Sequence, residues 1–320
     1  MTPIFGIIII GDEILSGKRA DKHLPKAIEL LAARGLQLGY ADYVGDDPAR
    51  ITATLARAFA AARNAGDVVF SCGGIGATPD DHTRQCAARA WGRELALHPE
   101  AKLLIEERMR DVAKEQGASY DAERADNIHR LNMGVFPEGS EIIPNPYHKI
   151  PGFFCPADNA PSVNNSVRSA REDEPGQQGP RDWLRQTAGA AAPSGGRELH
   201  AVSDRGGVHF LPGFPVMAWP MMEWVLDQRY GHLHQRSAHT EKSVIVMGSM
   251  EATLTPLMLA IEAAHSGIKV FSLPSVDHPQ YGRHIELGVK GTTEAVNRAY
   301  PALLAGLHQF NLKLGPELVR

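Results

Sequence analysis

The run Ile4-Phe5-Gly6-Ile7-Ile8-Ile9-Ile10 is apolar throughout and empties directly into Gly11-Asp12-Glu13. A strand with one face in water alternates apolar and polar residues, whereas a strand apolar at every position must be covered on both faces. The run is far too short to span a bilayer. It also lacks the basic start and small-residue cleavage site of a signal peptide. It therefore reads as a first, fully buried strand. The residues that follow supply its cover. Asp21 to Arg34 sets Leu24, Ala27, Ile28, Leu31 and Ala32 near helical spacing, and Gly35 stops it. Leu36 to Val44 is extended. Asp47-Pro48 opens a second helix, with Asp at the N-cap and Pro behind it. Ile51, Leu55, Ala58, Phe59 and Ala62 form that helix's inner face. Asp67-Val68-Val69-Phe70 is a strand again. Strand and helix alternating in this way specify a parallel-type sheet with helices on both faces, a three-layer α/β fold.

The third strand leads into Ser71-Cys72-Gly73-Gly74-Ile75-Gly76-Ala77-Thr78-Pro79-Asp80-Asp81-His82-Thr83, and a helix begins near Arg84. Gly73, Gly74 and Gly76 let the backbone approach a bound group closely. The N-terminus of the next helix points amides at that group and favours an anion. Thr78 and Thr83 add hydroxyls. Asp80 and Asp81 repel a phosphate unless a cation stands between, and Mg²⁺ commonly fills that role. The segment thus points to a phosphate-plus-metal site at the carboxyl end of a strand, where such sheets bind ligands. A plain turn with a capping Asp is the competing reading. The added Thr-Pro-Asp-Asp-x-Thr favours the site. No Gly-Lys-Ser/Thr follows, so this is not a Walker loop, and the dinucleotide pattern Gly-x-Gly-x-x-Gly is missing. Cys72 has no base nearby and reads as small filler.

Residues 99–116 form a charged helix, 121–131 a second, and 133–151 a series of turns punctuated by Pro137, Pro144, Pro146 and Pro151. From about 156 to 206 the chain is rich in Ser, Asn, Gly, Pro and Ala, which reads as a long loop or insertion with one short helix near Trp183. Val208 to Leu211 is a strand, Pro212-Gly213-Phe214-Pro215 a turn, and a helix runs to about Tyr230. Residues 1–230 form the first domain and 231–241 a linker. His232, His234 and His239 share no helix face, so they read as solvated rather than metal-binding. Residues 242–320 form a small α+β domain of order β-α-β-β-α. Gly288-Val289-Lys290-Gly291 matches the GXXG of KH modules, but it falls in or after a strand, not between helices. With a net charge of −4 and no long basic run, no nucleic-acid partner is expected. Cys72, Cys86 and Cys155 form no CxxC pair and fit a reducing, cytoplasmic setting with no membrane partner.

Taken together, Gly11-Asp12-Glu13-Ile14-Leu15-Ser16-Gly17, Val44-Gly45-Asp46-Asp47, the Gly73–Thr83 segment and Leu211-Pro212-Gly213-Phe214-Pro215 resemble the molybdopterin-binding (MoCF) superfamily. That superfamily includes MoaB, Mog, the gephyrin G domain and the N-terminal region of CinA, to which the likeness is greatest. It covers roughly residues 1–155 and 207–230, and the tail resembles the small domain that follows in CinA. The resemblance implies that Gly73, Gly74 and Gly76 line a phosphate site, with Gly213 and Pro215 in a loop closing over it. Asp46 and Asp81 match acidic residues that assist Mg²⁺ and nucleotide chemistry, which makes them the catalytic candidates. Asp80 and Asp81 are the metal candidates. Gly11, Asp12 and Glu13 lie at the first strand's end, in the same region. CinA relatives carry Asp-(Ser/Thr)-Asn at the first helix, where this chain has Asp21-Lys22-His23. The amidase domain of full CinA proteins is not in the sequence, so deamidation of nicotinamide mononucleotide is not expected.

The leading expectation is binding of a phosphorylated pterin (molybdopterin) or a nucleotide with a divalent metal, Mg, Mn or Co. The alternatives are a metal-dependent pyrophosphatase acting on ADP-ribose or FAD, and a non-catalytic interaction module. The resemblance also implies a homo-oligomer.

Overall fold

The computed structural model describes residues 3–157, 206–234 and 239–320. Apart from its ends, the expected insertion at 156–206, with its helix near Trp183, lies outside the described residues, as does part of the expected linker. The chain divides into two compact units, Met1–Leu233 and His234–Arg320. Among the described residues, no helix is long and apolar enough to cross a membrane.

The first unit runs β1 (Phe5–Ile10), α1 (Asp12–Leu15), α2 (His23–Ala32), β2 (Leu38–Val44), α3 (Pro48–Ala65), β3 (Val68–Cys72), α4 (Thr83–Trp91), β4 (Leu95–Leu97), α5 (Pro99–Glu115), α6 (Ala125–Arg130), β5 (Val135–Pro137), β6 (Glu141–Ile143), β7 (Gly152–Pro156), β8 (Gly207–Leu211) and α7 (Pro215–Gln228). Its main sheet has the order β2-β1-β3-β8-β7-β6. Strand β1 is buried along its whole length and alternates between two cores. Phe5, Ile7 and Ile9 pack with α2 and α7 through Ala27, Leu31, Met221 and Val225. Ile8 and Ile10 pack with α3 and α4 through Ile51, Leu55, Phe59 and Ala87. Alternation along one strand thus feeds both layers. Helix α3 starts as its sequence dictates: the Asp47 carboxylate accepts from the Arg50 amide at 2.8 Å, and Gly66 ends the helix at φ +76°.

The parallel part of the sheet covers β2, β1, β3 and β8. Strands β7 and β6 extend it antiparallel, which the sequence reading treats only as turns and short extended pieces. The short link between β6 and β7 makes them antiparallel neighbours. From β1 the chain passes to β2 on one side and later to β3 on the other, so the order reverses between β1 and β3. Ligands bind at such a switch point.

The second unit runs β9 (His239–Met247), α8 (Glu251–Ala264), β10 (Ile268–His278), β11 (Gly282–Thr292), α9 (Thr293–His308) and β12 (Lys313–Val319), with the antiparallel order β10-β11-β9-β12. Val244, Val246, Leu287 and Val289 pack against Leu254, Ala299, Leu303 and Leu307. The fourth strand is an addition to the expected β-α-β-β-α order. Gly315 and Pro316 hide it in the sequence, because both weaken a strand pattern. The structure accommodates them by making β12 an edge strand whose register shifts between Leu314 and Glu317. The Gly288–Gly291 segment lies within β11.

Candidate functional site

The neighbouring strands β1, β3 and β8 release Gly11, Gly73 and Gly213 at their carboxyl ends. The Gly73 amide donates to the Leu211 carbonyl at 3.0 Å, tying two of these ends together. Gly73 has φ +111°, and a Cβ there would stand 2.2 Å from the Ile10 carbonyl oxygen. Gly74 has φ +67°, and its Cβ would meet the Thr83 hydroxyl at 2.2 Å. Only glycine fits both positions. The turn is held from behind. The buried Thr83 hydroxyl donates to the Gly73 carbonyl at 3.0 Å, and the Thr83 amide donates to the Gly74 carbonyl at 3.0 Å. The buried Arg84 guanidinium donates to the carbonyls of Ile75 and Gly76. Burial lowers the Arg84 pKa to about 10, against the opposing pull of Asp81, so the cation persists at neutral pH. None of these bonds uses the N–H groups of Gly74, Ile75 or Gly76.

A cleft of about 750 Å³ opens over these strand ends. Its lining includes Gly11, Glu13, Asp46, Gly73, Gly74, Gly76, Thr78, Asp80, Asp81 and Gly213 from the sequence reading. Three residues of that reading stand off it. Thr83 faces the turn's own carbonyl. Asp12 is paired with Asp46: each backbone amide donates to the other's carboxylate, at 2.9 and 3.1 Å. Pro215 opens α7 and lines a smaller cavity of about 300 Å³. Asp81 accepts from the Thr78 amide at 2.8 Å and from its hydroxyl at 2.6 Å, closing the loop on itself. The Asp46 carboxyl is raised above its ordinary pKa. Burial is the main cause; the Asp12 amide opposes it, and the charges of Asp12, Glu13 and Asp80 add to it. Among the described residues, no three His, Cys, Asp or Glu side chains converge as an independent metal site requires.

Sequence reasoning missed several residues here. Lys18 and Arg19 line the cleft and supply cations beside the glycine turn; two adjacent basic residues just after the first glycine turn were the available signal. Met133, His148, Ile150 and Pro151 line it from the segment before β7. For His148, Ile150 and Pro151 the trace in the sequence is a proline-bounded turn, Pro146 to Pro151. His23 Nε2 lies 3.1 Å from the Gly213 carbonyl, tying α2 to the turn after β8. His129 ties α6 to the glycine segment through the Ala77 carbonyl at 2.7 Å. Burial pushes the Cys72 thiol well above its ordinary pKa, so it remains a neutral filler.

A family model described as "Probable molybdopterin binding domain" matches residues 6–232. The chain belongs to this family. The CinA-like protein of Mycobacterium tuberculosis is 33% identical over 159 residues, covering 47% of this chain and 34% of the relative. The CinA-like protein of Mycobacterium marinum is 31% identical over 163 residues, covering 49% of this chain and 36% of the relative. The chain thus spans about a third of the length of these curated relatives. The crystal structure of CinA from Thermoplasma acidophilum aligns with a TM-score of 0.45 and 21% identity, covering 70% of this chain and 96% of that one. The matched residues 6–232 contain every strand end that builds the cleft.

Proposed function

We propose that the chain binds a phosphorylated pterin of the molybdopterin type, or a nucleotide, with a phosphate against the Gly74–Gly76 turn. One observation carries this reading. The turn is fixed from behind by Thr83 and Arg84, while Gly74, Ile75 and Gly76, whose N–H groups stay outside that bonding, line a large cleft. Preorganised amides at a strand end stabilise phosphate charge at little reorganisation cost. Met133, Ile150, Phe214 and Met217 add apolar surface for a flat heterocycle.

The acidic residues suit a metal shared with the ligand. Without three converging side chains, a cation here takes one or two carboxylates and completes its shell with phosphate oxygens and water, which is the habit of Mg²⁺. Asp80 and Asp81 are the residues we assign to it. Its effect when bound is to neutralise phosphate charge and polarise the phosphoryl group. A second reading, metal-dependent hydrolysis of ADP-ribose or FAD with Asp46 and Asp81 catalytic, draws on the carboxylates of Asp46, Asp80 and Asp81 in the same cleft as the turn. All three cysteines are free and buried, which supports our assignment to a reducing cytoplasm. Self-association is also proposed, and light scattering at micromolar concentration checks it; a monomer counts against it.

Asp81→Asn should weaken Mg²⁺-dependent binding by about 1–3 kcal/mol, the scale of a lost charge-assisted contact. Calorimetric titration of ADP-ribose with and without EDTA reads this, and unchanged affinity removes Asp81 from the site. The same samples, incubated with Mg²⁺, Mn²⁺ or Co²⁺ and followed for AMP release, separate the two readings. Turnover that disappears in Asp81→Asn establishes the hydrolase. No AMP with any metal, together with retention of a pterin, retires it.

A further inference from the structure

The loop between β6 and β7 fixes the ring of His148, a cleft residue, in one tautomer. Asn145 is its hub and is buried, at 5% exposure. Its Oδ1 accepts from the Tyr147 amide at 3.0 Å, and its Nδ2 donates to the Ile150 carbonyl at 2.9 Å. Those two partners settle which end of the amide is nitrogen. The same Nδ2 stands 3.2 Å from His148 Nδ1, and the Ile150 amide, which bonds the His148 carbonyl at 2.9 Å, shares its hydrogen with that ring nitrogen at 3.3 Å. Two N–H donors meet on one nitrogen, so Nδ1 must present a lone pair. In the neutral ring, the proton is then on Nε2.

The next residue locks the loop further. Lys149 has φ +70°, uncommon for a residue with a side chain. Its ammonium holds that backbone in place by donating to Glu107 and Asp111 of α5, at 2.7 and 2.6 Å. Burial, and then the Arg108 cation, lower the His148 pKa below its ordinary value, against a smaller opposing backbone hydrogen bond. The ring is therefore neutral at pH 7.

We propose that His148 is a ligand-binding residue of this cleft, whose Nε2–H donates to an oxygen of a phosphate ester or anhydride held at the Gly74–Gly76 turn. The inference rests on the phosphate-binding reading above and extends it in two ways. It adds a neutral donor from a distant part of the sequence to the amides of the turn and the cations of Lys18 and Arg19. It also gives His148 a role in either reading of the function. With its lone pair engaged inside the loop, the ring orients phosphate and is not the base that takes a proton from water.

The test uses the full chain, with ADP-ribose plus Mg²⁺ as the first probe and inorganic pyrophosphate as the second. Long-range ¹H–¹⁵N spectra of histidine-labelled protein at pH 7.5 should show His148 protonated on Nε2, with that signal moving on addition of ADP-ribose. His148→Ala should raise Kd about tenfold, the scale of one lost hydrogen bond to a charged group, beside a modest fall in melting temperature from the Asn145 amide that loses its ring partner. His148→Gln, which restores an N–H near the same place, should stay within about threefold of the original protein. An Nδ1–H tautomer, or a His148→Ala protein that binds as the original does, overturns this inference alone. An original protein that binds neither probe overturns the phosphate-binding reading of the cleft, and the inference with it.

Discussion

Gly73→Ala is expected to destabilise the first unit by about 2–5 kcal/mol and to abolish ligand binding at the glycine turn. Two costs add. At φ +111° any side chain is strained, by roughly 1–2 kcal/mol. The new Cβ would also stand 2.2 Å from the Ile10 carbonyl oxygen, which is backbone at the end of β1. That strand is paired with β2 on one side and β3 on the other, so it cannot withdraw without shifting the sheet's centre. Overpacking of this kind costs a further 1–3 kcal/mol or so. Gly66→Ala supplies the control. Gly66 ends α3 at φ +76° with nothing within 4 Å of its Cβ position, so it carries the conformational cost alone. Urea unfolding of both variants measures the difference. If Gly73→Ala is no worse than Gly66→Ala, the close approach of β1 to the turn is not what demands glycine.

The contrast between these glycines explains what the sequence makes legible. A cap such as Asp47-Pro48, or a strand such as Ile4–Ile10, announces itself because its determinants are local: one carboxylate and the next amides, or one unbroken apolar run. The glycine turn is legible for the same reason. The use of its side chains is not. Thr83 reads as a ligand donor from its spacing, but its hydroxyl direction depends on where the Gly73 carbonyl lands after folding. Arg84 reads as an ordinary helix residue until burial sets its guanidinium on two loop carbonyls. His148 depends on Asn145, on Lys149 and, through Lys149, on carboxylates of α5 that lie 42 and 38 residues before that lysine, so no local pattern reports it. Strand β12 is hidden by Gly315 and Pro316, which only a strand at the sheet edge tolerates.

A second large effect lies in the core of the same unit. His209, on β8, is fully buried and stacks on Phe154 with ring centroids 4.2 Å apart. Phe70 and Tyr230 flank it, and the Tyr230 hydroxyl lies 3.4 Å from Nε2. Burial first, and then the Arg229 charge, push its pKa well below the ordinary 6.5, with a Val69 backbone hydrogen bond opposing. In the unfolded chain the ring titrates near about 6.5. Between the folded and unfolded values the unfolded state binds more protons, so stability rises with pH there. The full contribution is therefore present above about 6.5 and is lost as pH falls, at about 1.4 kcal/mol per pH unit until the folded value is reached.

His209→Phe keeps an aromatic ring in the stack and removes the titration. At pH 7.5 the variant should be less stable by about 1 kcal/mol, because the Tyr230 hydroxyl loses its partner on the ring. As pH falls below about 6.5 this difference should shrink and then turn in the variant's favour, since the original protein takes on a proton-linked penalty that the variant lacks. Carboxylates titrate in both proteins alike, so the difference between their urea midpoints isolates His209. Parallel midpoints from pH 8 to 4.5 would mean that the core admits the proton freely, and the neutral, buried assignment of His209 would fall.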